Sequence, residues 1–67
     1  MTKFYYKVLN LPENCSDIDI KKQYKKLSLE WHPDKNPDNP VRANEMFNII
    51  SEAYQVLGNK NRRYKYD

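Results

Sequence analysis

Apolar positions recur at helical spacing in two long stretches of the chain, and each stretch confines them to one face. At about 100° per residue, Ile20, Tyr24, Leu27 and Trp31 fall within a narrow arc, whereas Lys21, Lys22, Lys25 and Lys26 spread across the opposite side. One face is core and the other is cationic. Further along, Ala43, Met46, Phe47, Ile50, Ala53, Tyr54 and Leu57 share an arc of roughly 120°, the width of a core-facing stripe. Two long helices with one stripe each, joined by a loop, are expected to pack antiparallel as a helical hairpin with the loop at the far end. The predicted class is all-α. Leu27 and Phe47 are expected to face each other across the hairpin.

Punctuation residues set the ends of these elements. Tyr5 to Leu11 carries Tyr6 and Leu9 on one side of a short helix that Pro12 ends within two turns, with Asn10 as a left-handed stop. Ser16 followed three residues later by Asp19 approximates a capping box, and Asp17 and Asp19 suit the positive end of a helix dipole, so the second helix starts near Asp17. Proline offers no N–H and bars the residue before it from comfortable helical geometry, so that helix must end near His32. Pro33 to Pro40 holds three prolines with several Asn and Asp residues and reads as an extended loop. Asn39 and Pro40 form an N-cap and first-turn pair for the third helix, and Gly58 stops it. A last segment, Lys60 to Tyr66, fits one or two helical turns with Tyr64 or Tyr66 touching the bundle.

Size narrows the classes of function. With 67 residues there is room for one domain, residues 1–67, whose core buries about 60% of the unfolded surface. An enclosed pocket is not expected. Hydrophobic residues make up 39% of the chain, so six tyrosines, Trp31, Phe4 and Phe47 must supply bulk per position. Cys15 is the only cysteine and His32 the only histidine, which excludes an internal disulfide and a Cys-based zinc site. No cofactor is expected. No apolar run is long enough to span a bilayer and no targeting pattern opens the chain, so a reducing, cytosol-like compartment is the default expectation. The net charge of +3 and a pI near 9.0 favour an anionic partner. Basic residues gather at Lys21 to Lys26 and Arg62 to Lys65. The chain reads as a domain cut out of something longer, or a minimal protein.

His32-Pro33-Asp34 displays an imidazole, a rigid ring and a carboxylate where the basic helix stops, and this resembles the signature of the J-domain, the co-chaperone module of DnaJ-like proteins. The likeness extends over nearly the whole chain in the family's order. Tyr5-Tyr6-Lys7-Val8-Leu9-Asn10-Leu11 looks like the family's Tyr-Tyr-x-x-Leu-Gly-Val opening, and Asp19 through Asn36 is similar to its second helix and signature loop. Phe47, Ile50, Glu52-Ala53-Tyr54, Val56-Leu57 and Arg62-Arg63-Tyr64-Lys65-Tyr66-Asp67 resemble its third helix and closing basic-Tyr-Asp segment. Phe4, Asn10, Gln23 and Gly58-Asn59-Lys60 depart from the family's pattern, and none of them touches the tripeptide.

The resemblance implies a J-domain fold: a hairpin of helices II and III with short flanking helices I and IV. It also implies a monomeric co-chaperone without catalytic activity of its own, which binds the ATP state of a DnaK-type heat-shock chaperone and accelerates its ATP hydrolysis. In that reading Asp34 pairs with a partner arginine, and His32 and Pro33 supply shape and hydrogen bonding. Lys21, Lys22, Lys25 and Lys26 give attraction and orientation, while Lys35 and Asn36 are peripheral contacts.

Other readings of the same residues compete. A lysine run is commonly no more than a solvated face, and an exposed Leu29 among those lysines is as ordinary as it is suggestive. Arg62, Arg63 and Lys65 are expected to compensate Glu45, Glu52 or Asp67 within the fold. A catalytic His–Asp pair lacks an adjoining nucleophile and a pocket that excludes water. DNA binding is the main alternative, yet an all-lysine face lacks the Arg, Asn or Gln needed for bidentate base readout, so no nucleic acid is expected. A membrane-surface helix would need its apolar face free, whereas the third helix claims it.

Overall fold

A computed structural model describes residues 3–67. Among these, Asn10 alone has a positive φ outside glycine (φ 57°, ψ 47°), and it ends α1 (Phe4–Leu9) after six residues. The reversal turns Leu11 back, and its N–H bonds to the Tyr6 carbonyl at 2.9 Å. The helix is therefore shorter than the expected reach to Leu11. The chain enters α2 (Asp17–Glu30) through the complete capping box. Ser16 Oγ accepts from the Asp19 N–H at 3.1 Å, and Asp19 Oδ2 accepts from the Ser16 N–H at 3.2 Å.

Asn39 caps α3 (Pro40–Leu57), its Oδ1 accepting from the Arg42 N–H at 3.2 Å, with Pro40 at the first position, where a missing N–H costs nothing. Gly58 ends the helix in ordinary right-handed geometry, and the reason for glycine is space. A Cβ there would lie 2.6 Å from the Tyr54 carbonyl oxygen and 2.8 Å from the Tyr54 ring. Asn59 then caps α4 (Lys60–Tyr66) in the same way as Asn39.

α3 meets each of the other helices, so the remaining elements are arranged around it. α2 and α3 form the expected hairpin. Their order along it is read from the stack of Tyr24 on Tyr54 (centroids 4.1 Å, planes 9° apart) and, nearer the connection, the Arg42 guanidinium over the Trp31 ring at 5.6 Å. Tyr6, Leu9, Ile20, Ile50, Ala53 and Leu57 are fully buried together, and Leu27, Trp31, Met46 and Tyr54 lie half-buried against them. Each fully buried Leu or Ile contributes about 1.5–3 kcal/mol of transfer free energy; α1 and α2 supply one each and α3 supplies two.

Two expectations need correction. Pro33 to Pro40 is not wholly extended, because Pro33–Lys35 forms one turn of 3-10 helix; a proline at the first position suits such a turn, since φ is already set and no N–H is wasted. Phe47 is half-buried outside the main core and turns its ring toward His32, edge to face at 6.4 Å and 89°. It supports the loop, and the facing pair with Leu27 is not what the core is built on.

Candidate functional site

The exit from α2 carries the tripeptide, and its backbone is fully accounted for. Trp31 caps the helix, its N–H bonding to the Leu27 carbonyl at 3.0 Å. His32 is extended (φ −63°, ψ 135°), the conformation a following proline demands. Pro33 has no N–H. The Lys35 and Asn36 N–H groups bond to the His32 and Pro33 carbonyls at 2.9 and 3.1 Å, which leaves the Asp34 N–H, and His32 Nδ1 accepts it at 3.2 Å. Asn36 then ties the turn to the end of α2, its Nδ2 donating to the Glu30 and His32 carbonyls at 2.9 Å each.

This bonding leaves the Asp34 carboxylate pointing outward. The Asp34 side chain is 91% exposed on a turn whose own donors are all engaged. Asp34 Oδ2 lies 3.6 Å from His32 Nδ1, too far for a hydrogen bond. Lys21, Lys22, Lys25, Lys26 and Lys35 are all exposed, and among the described residues none of them is in an ion pair. Leu29 is 59% exposed beside them. Of the nine residues singled out in the sequence, Asn36 alone is half-buried, because its amide is spent within the loop.

Arg63 meets one of the acids expected of it, Asp67, and also Asp17, which was not expected. It bridges to Asp17 at 3.0 Å and reaches Asp67 at 3.9 Å, not Glu45 or Glu52. Its Nε donates to the Tyr6 hydroxyl at 3.0 Å, and its Nη2 donates to the Glu13 and Cys15 carbonyls. The Tyr6 hydroxyl in turn donates to the Asp67 carboxylate at 2.7 Å. The hydrogen bond to Tyr6 holds the Arg63 guanidinium above its ordinary pKa, while burial raises Tyr6 and the Cys15 thiol. Tyr66, the one of the two closing tyrosines that touches the bundle, packs on Tyr5 and accepts the Tyr5 N–H at 3.0 Å, whereas Tyr64 is 84% exposed. These bonds knit α4 to α1 and to the start of α2. An open depression beside α1 is lined by Tyr6, Lys7, Asn10, Leu11 and Pro12; no residue of the tripeptide loop borders it.

The sequence model of the DnaJ domain matches residues 4–67. The chain belongs to the DnaJ domain family. It is similar to human DnaJ homolog subfamily B member 8, 52% identical over 63 residues that make up 94% of this chain and 27% of that protein. Mouse DnaJ homolog subfamily B member 2 is 51% identical over 94% of this chain and 19% of its own length. Chaperone protein DnaJ of Thermoplasma volcanium is 49% identical across all 67 residues, 18% of that protein. The J-domain here thus spans little more than a quarter of such relatives, or less. J-domains are non-catalytic co-chaperones of DnaK-type heat-shock chaperones, and the family membership implies a partner of that kind. Among the described residues no helix is long and apolar enough to cross a membrane.

Proposed function

We propose that this J-domain docks on the ATP state of a DnaK-type heat-shock chaperone through His32-Pro33-Asp34 and stimulates its ATP hydrolysis, so promoting client capture. The observation that carries the proposal is the Asp34 carboxylate, 91% exposed and held on a fully hydrogen-bonded turn at the end of a lysine-rich helix. A charge displayed on a rigid turn loses little conformational entropy when it meets a cation. Asp34 pairs with a partner arginine, and His32 and Pro33 give the contact its outline. Lys21, Lys22, Lys25 and Lys26 face acidic partner surface and set the approach, with Lys35 and Asn36 at the edge of the contact. The module acts as a single domain over residues 1–67 of a longer chain, a reading supported by relatives that continue well beyond the matched segment.

Asp34→Asn tests the proposal, because it keeps the shape of the side chain and the surface position, where changes usually fall within about ±0.5 kcal/mol. Single-turnover ATP hydrolysis by the partner should lose most of its stimulation while the circular dichroism and melting of the domain stay native. Full stimulation by the variant would remove Asp34 from the contact. Tight DNA binding by an unmutated domain that gives no stimulation would favour a phosphate-binding module instead.

A further inference from the structure

We propose that His32 is a positioning residue that acts through Nδ1: its imidazole caps the 3-10 turn and thereby aims Asp34. The inference rests on the docking role proposed for Asp34. Pro33 removes one donor from the turn, and the Lys35 and Asn36 N–H groups are taken by backbone carbonyls. The Asp34 N–H is the remaining orphan, and His32 Nδ1 at 3.2 Å is its partner. A ring nitrogen that accepts carries no proton, so this bond requires the tautomer with its proton on Nε2.

Three other contacts hold the ring and its backbone in this arrangement. Phe47 of α3 sets its ring at 89° to the imidazole with centroids 6.4 Å apart. Asn36 Nδ2 and the Lys35 N–H both bond to the His32 carbonyl at 2.9 Å. The alternative use of Nδ1 is as a donor to the Asp34 carboxylate 3.6 Å away. It would strip the turn of its cap and occupy the very oxygen that the partner's cation needs. The two uses exclude each other, and the shorter contact goes to the backbone.

Asparagine and glutamine separate the two ring nitrogens. Asn places its amide oxygen near the position of Nδ1 and is a strong cap, whereas Gln carries its polar atoms out to the position of Nε2. His32→Asn should therefore retain at least about fivefold more stimulation of the partner's single-turnover ATP hydrolysis than His32→Gln, the factor that a cap of about 1 kcal/mol corresponds to. On the free, unmutated domain, long-range 1H–15N correlation of the imidazole should show the Nε2–H tautomer. Hydrogen exchange at the Asp34 amide should speed up in His32→Gln and stay slow in His32→Asn.

A protonated Nδ1, or equal stimulation by the two variants, would overturn the inference. So would an inactive His32→Asn whose Asp34 amide remains protected, since the contact His32 makes with the partner, and not its cap on the turn, would then carry the stimulation. The tautomer and exchange readouts need no partner, so they stand or fall separately from the Asp34→Asn result that tests the docking role.

Discussion

Arg63 shows how much one side chain can bind together in a small domain. Its side chain is 15% exposed, and the guanidinium reaches α1 through Tyr6, the α1–α2 connection through the Glu13 and Cys15 carbonyls, and the first turn of α2 through Asp17. Asp17 is 53% exposed, so solvent screens that ion pair and the more buried hydrogen bonds carry most of the effect. Hydrogen bonds from a charged donor are worth about 1.5–3 kcal/mol each when their partners would otherwise be stranded. Arg63→Ala should destabilise the domain by about 2–3 kcal/mol, because water can re-solvate only part of what is freed. Thermal melting followed by circular dichroism measures the loss. Alkylation of Cys15 gives a second check: burial beneath Arg63 shields the thiol and raises its pKa, so it should react slowly in the unmutated domain and faster in the variant, where opening of the site outweighs loss of the nearby charge that favours the thiolate. Unchanged melting and unchanged labelling would show that the node is dispensable.

Among the elements, α3 has two ends with different duties. Ile50, Ala53 and Leu57 are fully buried against α1 and α2 and hold the hairpin together, while Phe47, one turn nearer the loop, supports the imidazole of His32. Truncations should separate the two. Ile50→Ala opens a cavity in the centre of a core with little room to collapse and should cost about 2–5 kcal/mol. Phe47→Ala removes a half-buried ring outside that cluster and should cost about 1–2 kcal/mol, in proportion to the smaller area lost from contact. It should nevertheless shift the His32 imidazole resonances, which Ile50→Ala should leave in place. Urea midpoints and histidine spectra on the two variants test this division, and a Phe47→Ala loss as large as that of Ile50→Ala would return Phe47 to the core.

For the whole molecule, the arrangement of charge is the property that bears on partners. The elongated domain, 37 × 20 × 19 Å, gathers four of its unpaired lysines, Lys21, Lys22, Lys25 and Lys26, on the outer face of α2, whereas Arg63 is consumed inside the fold. Reversing Lys22 and Lys26 to Glu should leave melting nearly unchanged and slow association with the ATP-bound chaperone. Raising salt until the Debye length falls from about 10 Å to about 3 Å should weaken the unmutated domain in the same way. Stopped-flow association across a salt series measures both effects. Rates indifferent to charge and salt would make these lysines a solvated face and nothing more.

What the sequence determined by itself was local or periodic. Apolar spacing defined both long helices and their buried faces, Ser16 with Asp19, Asn39-Pro40 and Gly58 marked ends of these helices, and Asn10 marked that of α1, because caps and stops act within a few residues of chain. His32-Pro33-Asp34 was visible for the same reason, since proline dictates the break wherever it stands. Tertiary structure decided how those residues are used. The turn of 3-10 helix is closed by local bonds to the His32 and Pro33 carbonyls, but its seat on the ring of Phe47 is a contact with α3 that no local pattern supplies. No spacing rule distinguishes Phe47 under the loop from Ile50 in the core, as both lie on one stripe. The choice of Asp17 for Arg63, 46 residues away in the chain, follows from where α4 packs. Periodicity states which face of a helix turns inward; only the packed neighbours settle what each inward group meets there.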